Sequence, residues 1–389
     1  MRSVELFGGA GGLAMGISVA GFLHDAVVEK DDDAYATLLE NKSRGIKPLV
    51  NWPLYHAKVE EFDYSIISEG LDLLAGGPPC QPFSIGGKHR GSQDERNMFP
   101  EAVRAVRELK PRAFIFENVR GLMRESFAMY FEYIKLQLTY PTITRKTDEV
   151  WLEHQARLQQ QHTSSPHQGL FYNVVTSSLN AVNFGIPQKR DRVFIVGFRS
   201  DLNVKWSFPK PTHSQDALLW SQWVTDEYWD LYKISKKKRP KLSERLVKRI
   251  EALRATGMPE RLKRWKTVRD AIADLPDPRG KQGTLFLNHK YQPGARAYTG
   301  HTGSRFDEPA KTLKAGDHGV PGGENMLALP TGEVRYFTVR ESARLQTFPD
   351  AMHFPGSWTE TMRQLGNAVP MRLAEAVACS VADTLHRSL

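Results

Sequence analysis

Five short apolar runs alternate with helix-length segments in the first two hundred residues of the chain. The runs occupy positions 4–7, 26–29, 71–75, 113–116 and 193–198. Between two of them, residues 99–109 place Ala102, Val103, Val106 and Leu109 at the spacing of one helix face. Strands that alternate with helices are typical of a parallel sheet with crossover helices. The pattern therefore predicts an α/β fold.

The regular alternation ends at about residue 203. A stretch with several Trp and many basic residues follows, and a stretch rich in Gly and Pro runs from 280 to 332. The last apolar pattern, at Val369, Leu373, Val377 and Val381, predicts a terminal helix with one apolar face. We expect this helix to cover the sheet. The predicted division is a main domain at 1–204 plus 340–389 and a smaller, irregular domain at 205–339.

One segment of the main domain breaks the pattern in another way. Residues 140–169 include Gln155 and three consecutive glutamines at 159–161, followed by the sequence His-Thr-Ser-Ser-Pro at 162–166. Such a polar stretch has few side chains with which to join a core. We therefore expect a mobile surface insertion here.

Composition narrows the class of protein. The 389 residues are 40% hydrophobic with a mean hydropathy of −0.45, and no stretch approaches the ~18 apolar residues of a membrane span. The N-terminal residues run directly into a glycine-rich motif, which leaves no room for a signal peptide. Two cysteines, Cys80 and Cys379, do not make a disulfide framework, and the scattered histidines lack metal-ligand spacing. We expect a soluble, cytoplasmic protein without a metal site.

The positive charge of the chain is concentrated in one segment. The net charge is +9, but residues 233–266 alone hold fourteen Lys or Arg and three Glu, a local balance of +11. The remainder of the chain therefore carries −2. A basic segment of this kind favours a polyanionic partner such as nucleic acid. The alternative is a helix face that is simply solvated.

A cysteine follows the apolar run at 71–75. The run ends in Gly76-Gly77-Pro78-Pro79, and Cys80 is the first reactive side chain after this break. Because ligands of open α/β sheets bind beyond the carboxyl ends of the strands, the sequence places a thiol at a candidate active site. A thiolate there suggests nucleophilic catalysis. The alternative is a buried structural cysteine.

The first apolar run leads into a glycine-rich turn. Gly9, Gly11 and Ala14 satisfy a loose dinucleotide-binding pattern, and Glu29 ends the next predicted strand twenty residues after Gly9. Glycines allow close approach of the backbone to a ligand, and an acid at this spacing can accept from ribose hydroxyls. The motif predicts an adenosine-containing cofactor. A nicotinamide cofactor of an oxidoreductase satisfies the same rules.

Charged residues adjoin two further predicted strands. Glu117 ends the run at 113–116, and in a parallel sheet it projects over the same edge as Cys80. A thiol beside a carboxylic acid suits addition to an electron-poor ring, with the acid protonating a ring nitrogen. Arg190 and Arg192 precede the run at 193–198, and alternation places both on one face. Guanidiniums there would lower the pKa of the thiol. The alternatives are an exposed glutamate at a helix start and a basic hairpin edge.

Five motifs occur in an order that resembles the C5-cytosine-specific DNA methyltransferases of prokaryotic restriction-modification systems. They are Phe-Gly-Gly-Ala-Gly-Gly at 7–12, Gly-Gly-Pro-Pro-Cys-Gln at 76–81, Glu-Asn-Val at 117–119, Gln-Lys-Arg-Asp-Arg at 188–192 and Gln-Leu-Gly-Asn-Ala-Val-Pro at 364–370. The resemblance implies a Rossmann-like, S-adenosylmethionine-dependent methyltransferase sheet with a smaller, irregular target-recognition domain. It also implies methyl transfer to C5 of a flipped cytosine in a specific sequence of double-stranded DNA.

The resemblance implies a role for each motif residue. Cys80 would add to C6 of the cytosine, Glu117 would protonate N3, and Arg192 with Arg190 would hold the base and the active-site sulfur. A lid is implied at 84–97. The residues implied to contact the cofactor are Phe7, Gly9, Gly11, Leu13, Glu29, Val59, Gly77, Pro79, Met98, Asn367 and Val369. The residues implied to contact DNA are Gln81, Ser84, Lys88, Arg90, Lys236, Lys237, Lys238, Arg239, Thr312 and Leu313.

One motif departs from the family. Where the family commonly has an acid that contacts the adenine amino group, this chain reads Ala57-Lys58-Val59-Glu60. Either Lys58 takes the place of the acid or Glu60 serves from a shifted position. Val59 is still expected to pack on the adenine.

The predicted partners follow from the resemblance. They are double-stranded DNA and a cognate restriction endonuclease as a genetic partner, with a monomeric protein in the bacterial cytoplasm and no membrane. Three alternatives remain: a tRNA cytosine-5 methyltransferase, a NAD-type oxidoreductase, and a DNA-binding module with a silent catalytic fold. The target DNA sequence is not readable from the chain.

Overall fold

A seven-stranded sheet lies at the centre of the structure, a computed structural model that describes residues 1–79, 98–164, 169–257, 261–316 and 325–388. Its strands are β1 (Arg2–Leu6), β2 (Leu23–Glu29), β3 (Leu54–His56), β4 (Leu73–Gly76), β5 (Ala113–Val119), β6 (Tyr172–Asn180) and β7 (Asp191–Arg199). The spatial order is β3-β2-β1-β4-β5-β7-β6. The first five strands pair in parallel. The predicted α/β fold with a parallel-rich sheet is therefore confirmed.

One predicted strand, β7, runs in the opposite sense to the prediction, and β6 is an additional strand that the apolar pattern did not reveal. β7 is antiparallel to β5, and β6 is antiparallel to β7. The connection from β6 to β7 passes through a short turn at Ala181–Phe184 rather than through a crossover helix. A parallel pair needs a long crossover, so a short connection returns the chain as a hairpin.

Helices cover both faces of the sheet. The helices of the described residues are α1 (Gly12–Val19), α2 (Asp32–Ser43), α3 (Phe99–Leu109), α4 (Ala128–Thr139), α5 (Trp151–Thr163), α6 (Gln215–Trp223), α7 (Glu227–Leu231), α8 (Glu244–Thr256), α9 (Val268–Ile272), α10 (Val339–Leu345), α11 (Trp358–Asn367) and α12 (Met371–Arg387). α3 and α4 pack on one face, while α1 and α12 pack on the other. Within the described ranges, none of these helices combines the length and the apolarity of a membrane span.

The predicted terminal helix is confirmed. Leu373, Val377 and Val381 of α12 are buried in an apolar cluster on the face of the sheet that α1 also covers. The two helices approach closely at Gly16, where an added Cβ would lie 2.5 Å from the Cβ of Ala374. Only glycine allows this approach, so α1 and α12 form a single layer.

Residues 205–339 contain short elements. β8 (His213–Ser214) pairs with β9 (Lys263–Arg264), and β10 (Ser304–Arg305), β11 (Met326–Ala328) and β12 (Val334–Tyr336) form a second small sheet. α6, α7 and α8 enclose two small apolar clusters of their own. By contrast, Val268, Leu313 and Phe337 share a cluster with Ala10 and Trp52 of the main sheet region. The boundaries at 204/205 and 339/340 stay a prediction.

The polar segment at 140–169 is largely an ordered helix, so the expectation of a mobile insertion was wrong for the described part. α5 packs on α4, where His154 lies 1% exposed. Its Nδ1 is 2.8 Å from the hydroxyl of Tyr133, and its Nε2 is 2.8 Å from the carbonyl oxygen of Ile143. Arg157 binds Glu149 on the outer side. The polar composition suggested a mobile segment, but the buried side chains of His154 and Leu158 hold one face of this polar helix against the protein.

Candidate active site and cofactor site

The glycine-rich turn and Glu29 meet at the carboxyl ends of β1 and β2. One oxygen of Glu29 accepts from the amide of Gly9 at 2.6 Å, and the other accepts from the amide of Asp31 at 2.7 Å. Gly9 and Gly11 have left-handed backbone with φ of 52° and 83°. The carboxylate therefore holds the turn open, and each of its oxygens keeps a lone pair for a ligand.

The turn is also held from the far end of the chain. A Cβ on Gly12 would lie 2.2 Å from the carbonyl oxygen of Val369, so the loop after α11 rests directly on the start of α1. Leu13 and Val369 share one apolar cluster, while Asn367 is exposed beside them. Residues that are more than 350 positions apart in the sequence are thus brought together at one candidate cofactor site.

Phe7 and Val59, which are also predicted to contact the cofactor, share one apolar cluster. Val59 is 3% exposed in the apolar cluster beneath the sheet, and Phe7 packs against the same cluster. The ammonium of Lys58 lies on the surface, 3.0 Å from a carboxylate oxygen of Glu61, and this partner raises the pKa of Lys58. Glu60 is exposed. The described contacts assign the adenine amino group to neither Lys58 nor Glu60, so that question stays open.

Glu117 and Arg192 form a buried ion pair where β5 ends and β7 begins. The Nε of Arg192 lies 2.6 Å from Oε1 of Glu117, and both side chains are less than a tenth exposed. Burial raises the pKa of the Glu117 carboxyl, and the guanidiniums of Arg192 and Arg190 oppose this rise. A carboxyl under these opposed influences is suited to hold and give a proton.

Glu117 faces the chain that leads to Cys80. A Cβ on Gly77 would lie 3.3 Å from Oε2 of Glu117, so the missing side chain leaves space beside the carboxyl. The carbonyl oxygen of Pro78 accepts from Asn118 at 2.9 Å, and that of Pro79 accepts from the amide of Met98 at 3.3 Å. The backbone that precedes residue 80 is therefore fixed at the edge of β5. Cys80, Gln81, Ser84, Lys88, Arg90 and the predicted lid lie outside the described residues.

Arg190 has a different position from the predicted one. Its side chain is fully buried, and its two Nη atoms donate to the carbonyl oxygens of Leu313 at 2.8 Å, Gly366 at 2.5 Å and Ala368 at 2.9 Å. These carbonyl groups take up its terminal donors. The expectation that Arg190 holds the base or the sulfur is therefore corrected: Arg190 ties together three backbone segments around the site.

Two predicted DNA contacts at 312–313 are engaged within the protein. The hydroxyl of Thr312 donates to the carbonyl oxygen of Lys189 at 2.7 Å, and the amide of Leu313 donates to Oε1 of Gln188 at 2.9 Å. The Leu313 side chain is fully buried. Leu313 is therefore corrected to a core residue. Thr312 and Leu313 together attach residues 205–339 to the segment that leads into β7.

The basic run contains both free and engaged cations. Lys236, Lys237 and Lys238 form an exposed turn. Arg239 instead lies with its side chain 12% exposed, bonded to Asp226 at 2.7 Å and stacked over the ring of Trp229. The prediction of a DNA contact is corrected for Arg239, because its guanidinium is paired with Asp226 and lies over the ring of Trp229.

The sequence patterns missed two groups of side chains. Arg245, Lys248 and Arg249 of α8 line a cavity of about 940 Å³ against the start of α6. Their spacing of three to four residues was the available signal. Asp31, Asp33 and Glu360 each bring one oxygen within 4.8 Å of the others. Arg363 binds Asp31 at 2.8 Å and Glu360 at 2.7 Å, so a cation of the chain already serves this acidic group.

Comparisons with known proteins agree with this geometry. A family described as C-5 cytosine-specific DNA methylase matches residues 1–140 and 152–382. Type II methyltransferase M.PspPI of Psychrobacter sp. (strain TA137) is 31% identical over 98% of this chain and 79% of its own length. Type II methyltransferase M.Eco47II of Escherichia coli is 30% identical over 99% of this chain and 79% of its own.

A solved structure agrees at the level of the fold. The Dnmt2 methyltransferase of S. pombe superposes with a TM-score of 0.53 at 17% identity, over 100% of this chain and 99% of its own. The oxidoreductase alternative and the silent binding module receive no support from any of these matches. On the match across nearly the whole sequence, the chain belongs to the C-5 cytosine-specific DNA methylase family and is a DNA cytosine-5 methyltransferase.

Proposed function

We propose that this enzyme transfers a methyl group from S-adenosylmethionine to C5 of a flipped cytosine in a specific duplex sequence, as part of a restriction-modification system. The observation that carries the proposal is the buried pair of Glu117 and Arg192, set beside Gly77 and next along the chain to the Cys80 loop. A proton-holding carboxyl, a fixed cation and an adjoining thiol are the groups that addition to a pyrimidine ring needs.

The residues at the ends of β1 and β2 fit the proposed cofactor. Glu29 retains lone pairs for ribose hydroxyls, the glycines of the turn allow close approach, and Phe7 and Val59 offer apolar surface to an adenine. Leu13, Gly77, Pro79, Met98, Asn367 and Val369 complete the proposed lining. S-adenosylmethionine, when bound, supplies an electrophilic methyl group to the reaction.

The proposed mechanism assigns one task to each side chain. The thiolate of Cys80 adds to C6 of the cytosine while Glu117 gives a proton to N3, so that C5 becomes nucleophilic and takes the methyl group. Loss of the C5 proton to solvent, expulsion of the Cys80 thiolate and return of the N3 proton to Glu117 then restore the aromatic ring and the free enzyme. Arg192 holds the Glu117 carboxyl and the base in place. The cytosine has to leave the duplex, because C6 is not accessible in the stack.

Residues 205–339 supply the proposed contacts to the DNA backbone. Lys236, Lys237 and Lys238 are exposed and free to contact phosphates, which adds affinity without sequence information. Gln81, Ser84, Lys88 and Arg90 are proposed as further DNA contacts. We further propose a monomeric enzyme that acts on DNA in the bacterial cytoplasm, with a cognate endonuclease as a genetic partner.

The decisive experiment compares substrates and a thiol variant. Purified protein is incubated with labelled S-adenosylmethionine and either duplex DNA of random sequence or bulk tRNA, and bisulfite sequencing locates any methylated cytosine. We expect 5-methylcytosine at one recurring DNA sequence, with loss of transfer but retained DNA binding in Cys80→Ser. Transfer to tRNA alone would refute the DNA substrate, and full activity of Cys80→Ser would refute the thiolate mechanism.

A further inference from the structure

Four exposed cations from three distant segments of the chain gather around one side chain, His213. They are Lys189, Lys263, Lys266 and Arg372. Within the described parts of the chain, none of these four side chains forms an ion pair or a hydrogen bond. Like charges that are held together without a carboxylate partner repel one another, and they attract an anion from outside. These four residues and His213 are called the His213 cluster.

Short contacts hold the His213 cluster in place. Lys263 pairs with His213 across β9 and β8. The His213 ring packs over Gly185, where an added Cβ would lie 2.6 Å from Cε1 of the ring. The ammonium of Lys189 lies 5.8 Å from the centre of the Trp265 ring. The cluster therefore bridges residues 205–339 and the segment between β6 and β7.

The ionisation of His213 reflects the positive potential of the cluster. The pKa of His213 is lowered to about 4, first by burial and then by the charges of three members of the cluster and of Arg264. Arg264 has its own partner in Asp270, at 2.7 Å, whereas the cluster members have none among the described side chains. An unneutralised positive surface of this kind suits a polyanion such as the phosphate backbone of DNA.

The His213 cluster borders the edge of the sheet that carries Glu117 and Arg192. Lys189 precedes Arg192 by three residues, so the two Cα atoms are at most about 11 Å apart. α12 begins at the same edge, because the residues just before it contact the start of α1. Arg372, the second residue of α12, therefore lies near this edge as well.

A flipped nucleotide changes the path of its own strand at this edge. The cytosine leaves the stack by rotation about its backbone, so the phosphates on either side of it leave their regular positions. In the proposed mechanism the base lies at Glu117 and Arg192. Its flanking phosphates are then next to the segment that carries Lys189, where the exposed cations of the cluster lie.

We propose, resting on the proposed function, that the His213 cluster binds the backbone phosphates that flank the flipped cytosine and so stabilises the flipped state of the target strand. This role differs from the one proposed for residues 236–238, which contact duplex DNA of any sequence. The phosphates of an undistorted duplex do not reach the cluster. Its contribution to binding therefore belongs to the complex with the target sequence alone.

The test is the salt dependence of DNA binding by the double variant Lys263→Ala with Arg372→Ala, which removes one cation from residues 205–339 and one from α12. Binding is measured with S-adenosylhomocysteine present, to a duplex that contains the target sequence found by bisulfite sequencing and to a duplex that lacks it. Each lost phosphate contact lowers the slope of log affinity against log salt by about 0.9. We expect the slope to fall by about 2 for the target duplex and to stay at the wild-type value for the other duplex.

Two matched variants provide the controls. Lys205→Ala removes an exposed lysine beyond the far end of β7, and it should change neither slope. Alanine at 236–238 should lower both slopes. The melting temperature of the double variant should match wild type, because its two side chains are exposed and lose no partner.

A third duplex tests the link to base flipping. When the target cytosine lies opposite an abasic site, it has no pair to break and flips at lower cost. We expect the double variant to methylate the intact target roughly tenfold more slowly than wild type, and the abasic duplex at nearly the wild-type rate.

Three results would overturn the proposal. An equal fall of both slopes would make the His213 cluster a general backbone contact, and unchanged slopes would show that it does not bind DNA. A rate defect of the same size on the intact and the abasic duplex would exclude a role in flipping. Absence of methyl transfer by the wild-type enzyme to any duplex would refute the proposed function itself, and that result is distinct because no variant is involved.

Discussion

Replacement of Arg190 by Met removes a buried cation that is bonded only to the backbone. Three carbonyl oxygens, from Leu313, Gly366 and Ala368, lose their donor in this variant. At about 1.5–3 kcal/mol for each bond to a charged group, the gross loss is roughly 4–9 kcal/mol. Part of this loss is offset because the variant has no guanidinium to desolvate on folding. We expect a net loss of about 3–5 kcal/mol in the free energy of unfolding.

Thermal and urea unfolding measure this loss. For a chain of 389 residues the melting temperature should fall by roughly 4–6 °C. Arg190→Lys serves as the matched control, because an ammonium keeps the charge but cannot reach all three carbonyl oxygens, and its loss should be intermediate. A melting temperature unchanged in Arg190→Met, combined with a large fall in kcat, would refute the structural role and return Arg190 to the substrate.

Three further predictions concern the same site and the basic run. Glu117→Gln should bind S-adenosylhomocysteine like wild type but lose roughly 10²- to 10⁴-fold in kcat, because the amide cannot give a proton to the ring; a loss below tenfold would contradict its role. Arg192→Met should raise the pKa of Glu117 further, because only Arg190 then opposes the effect of burial. The native state then binds more protons than the unfolded state, so the melting temperature should fall more steeply than in wild type as pH rises from about 4.5 through neutral; parallel pH profiles would exclude this coupling. Alanine at 236–238 should weaken binding to all DNA sequences and reduce the slope of log affinity against log salt by up to about three. Arg239→Ala should mainly lower the melting temperature. A sequence-selective effect of the 236–238 variant, or a change in salt slope in Arg239→Ala, would contradict these separate roles.

Strand order accounts for one pair of residues that the sequence placed together. Gly9 and Glu29 lie at the carboxyl ends of neighbouring strands, so the spacing of two apolar runs was enough to bring them together. Glu117 and Arg192 meet for another reason: β7 runs antiparallel to β5, so the start of β7 lies beside the end of β5. The parallel order that the alternation predicted would have put these two side chains at opposite ends of their strands.

The residues that the sequence did not predict depend on partners far away along the chain. Arg190 and Arg192 look alike in the motif, and only the carbonyl oxygens from 313, 366 and 368 separate them. Arg239 ends a run of lysines, and only the position of Asp226 gives it a partner.

Because α1 and α12 form a single layer, the face of the sheet that they cover is complete only after α12 has been synthesised. β1 and α1 leave the ribosome long before α12, yet the apolar face over them is closed by this later helix. Until that helix emerges, the nascent protein presents an uncovered hydrophobic surface, and the start of α1 lacks its support from Val369. Cofactor uptake should therefore begin only after synthesis has passed α12. A ribosome-stalled chain that lacks this helix would be a substrate for chaperones rather than a methyltransferase.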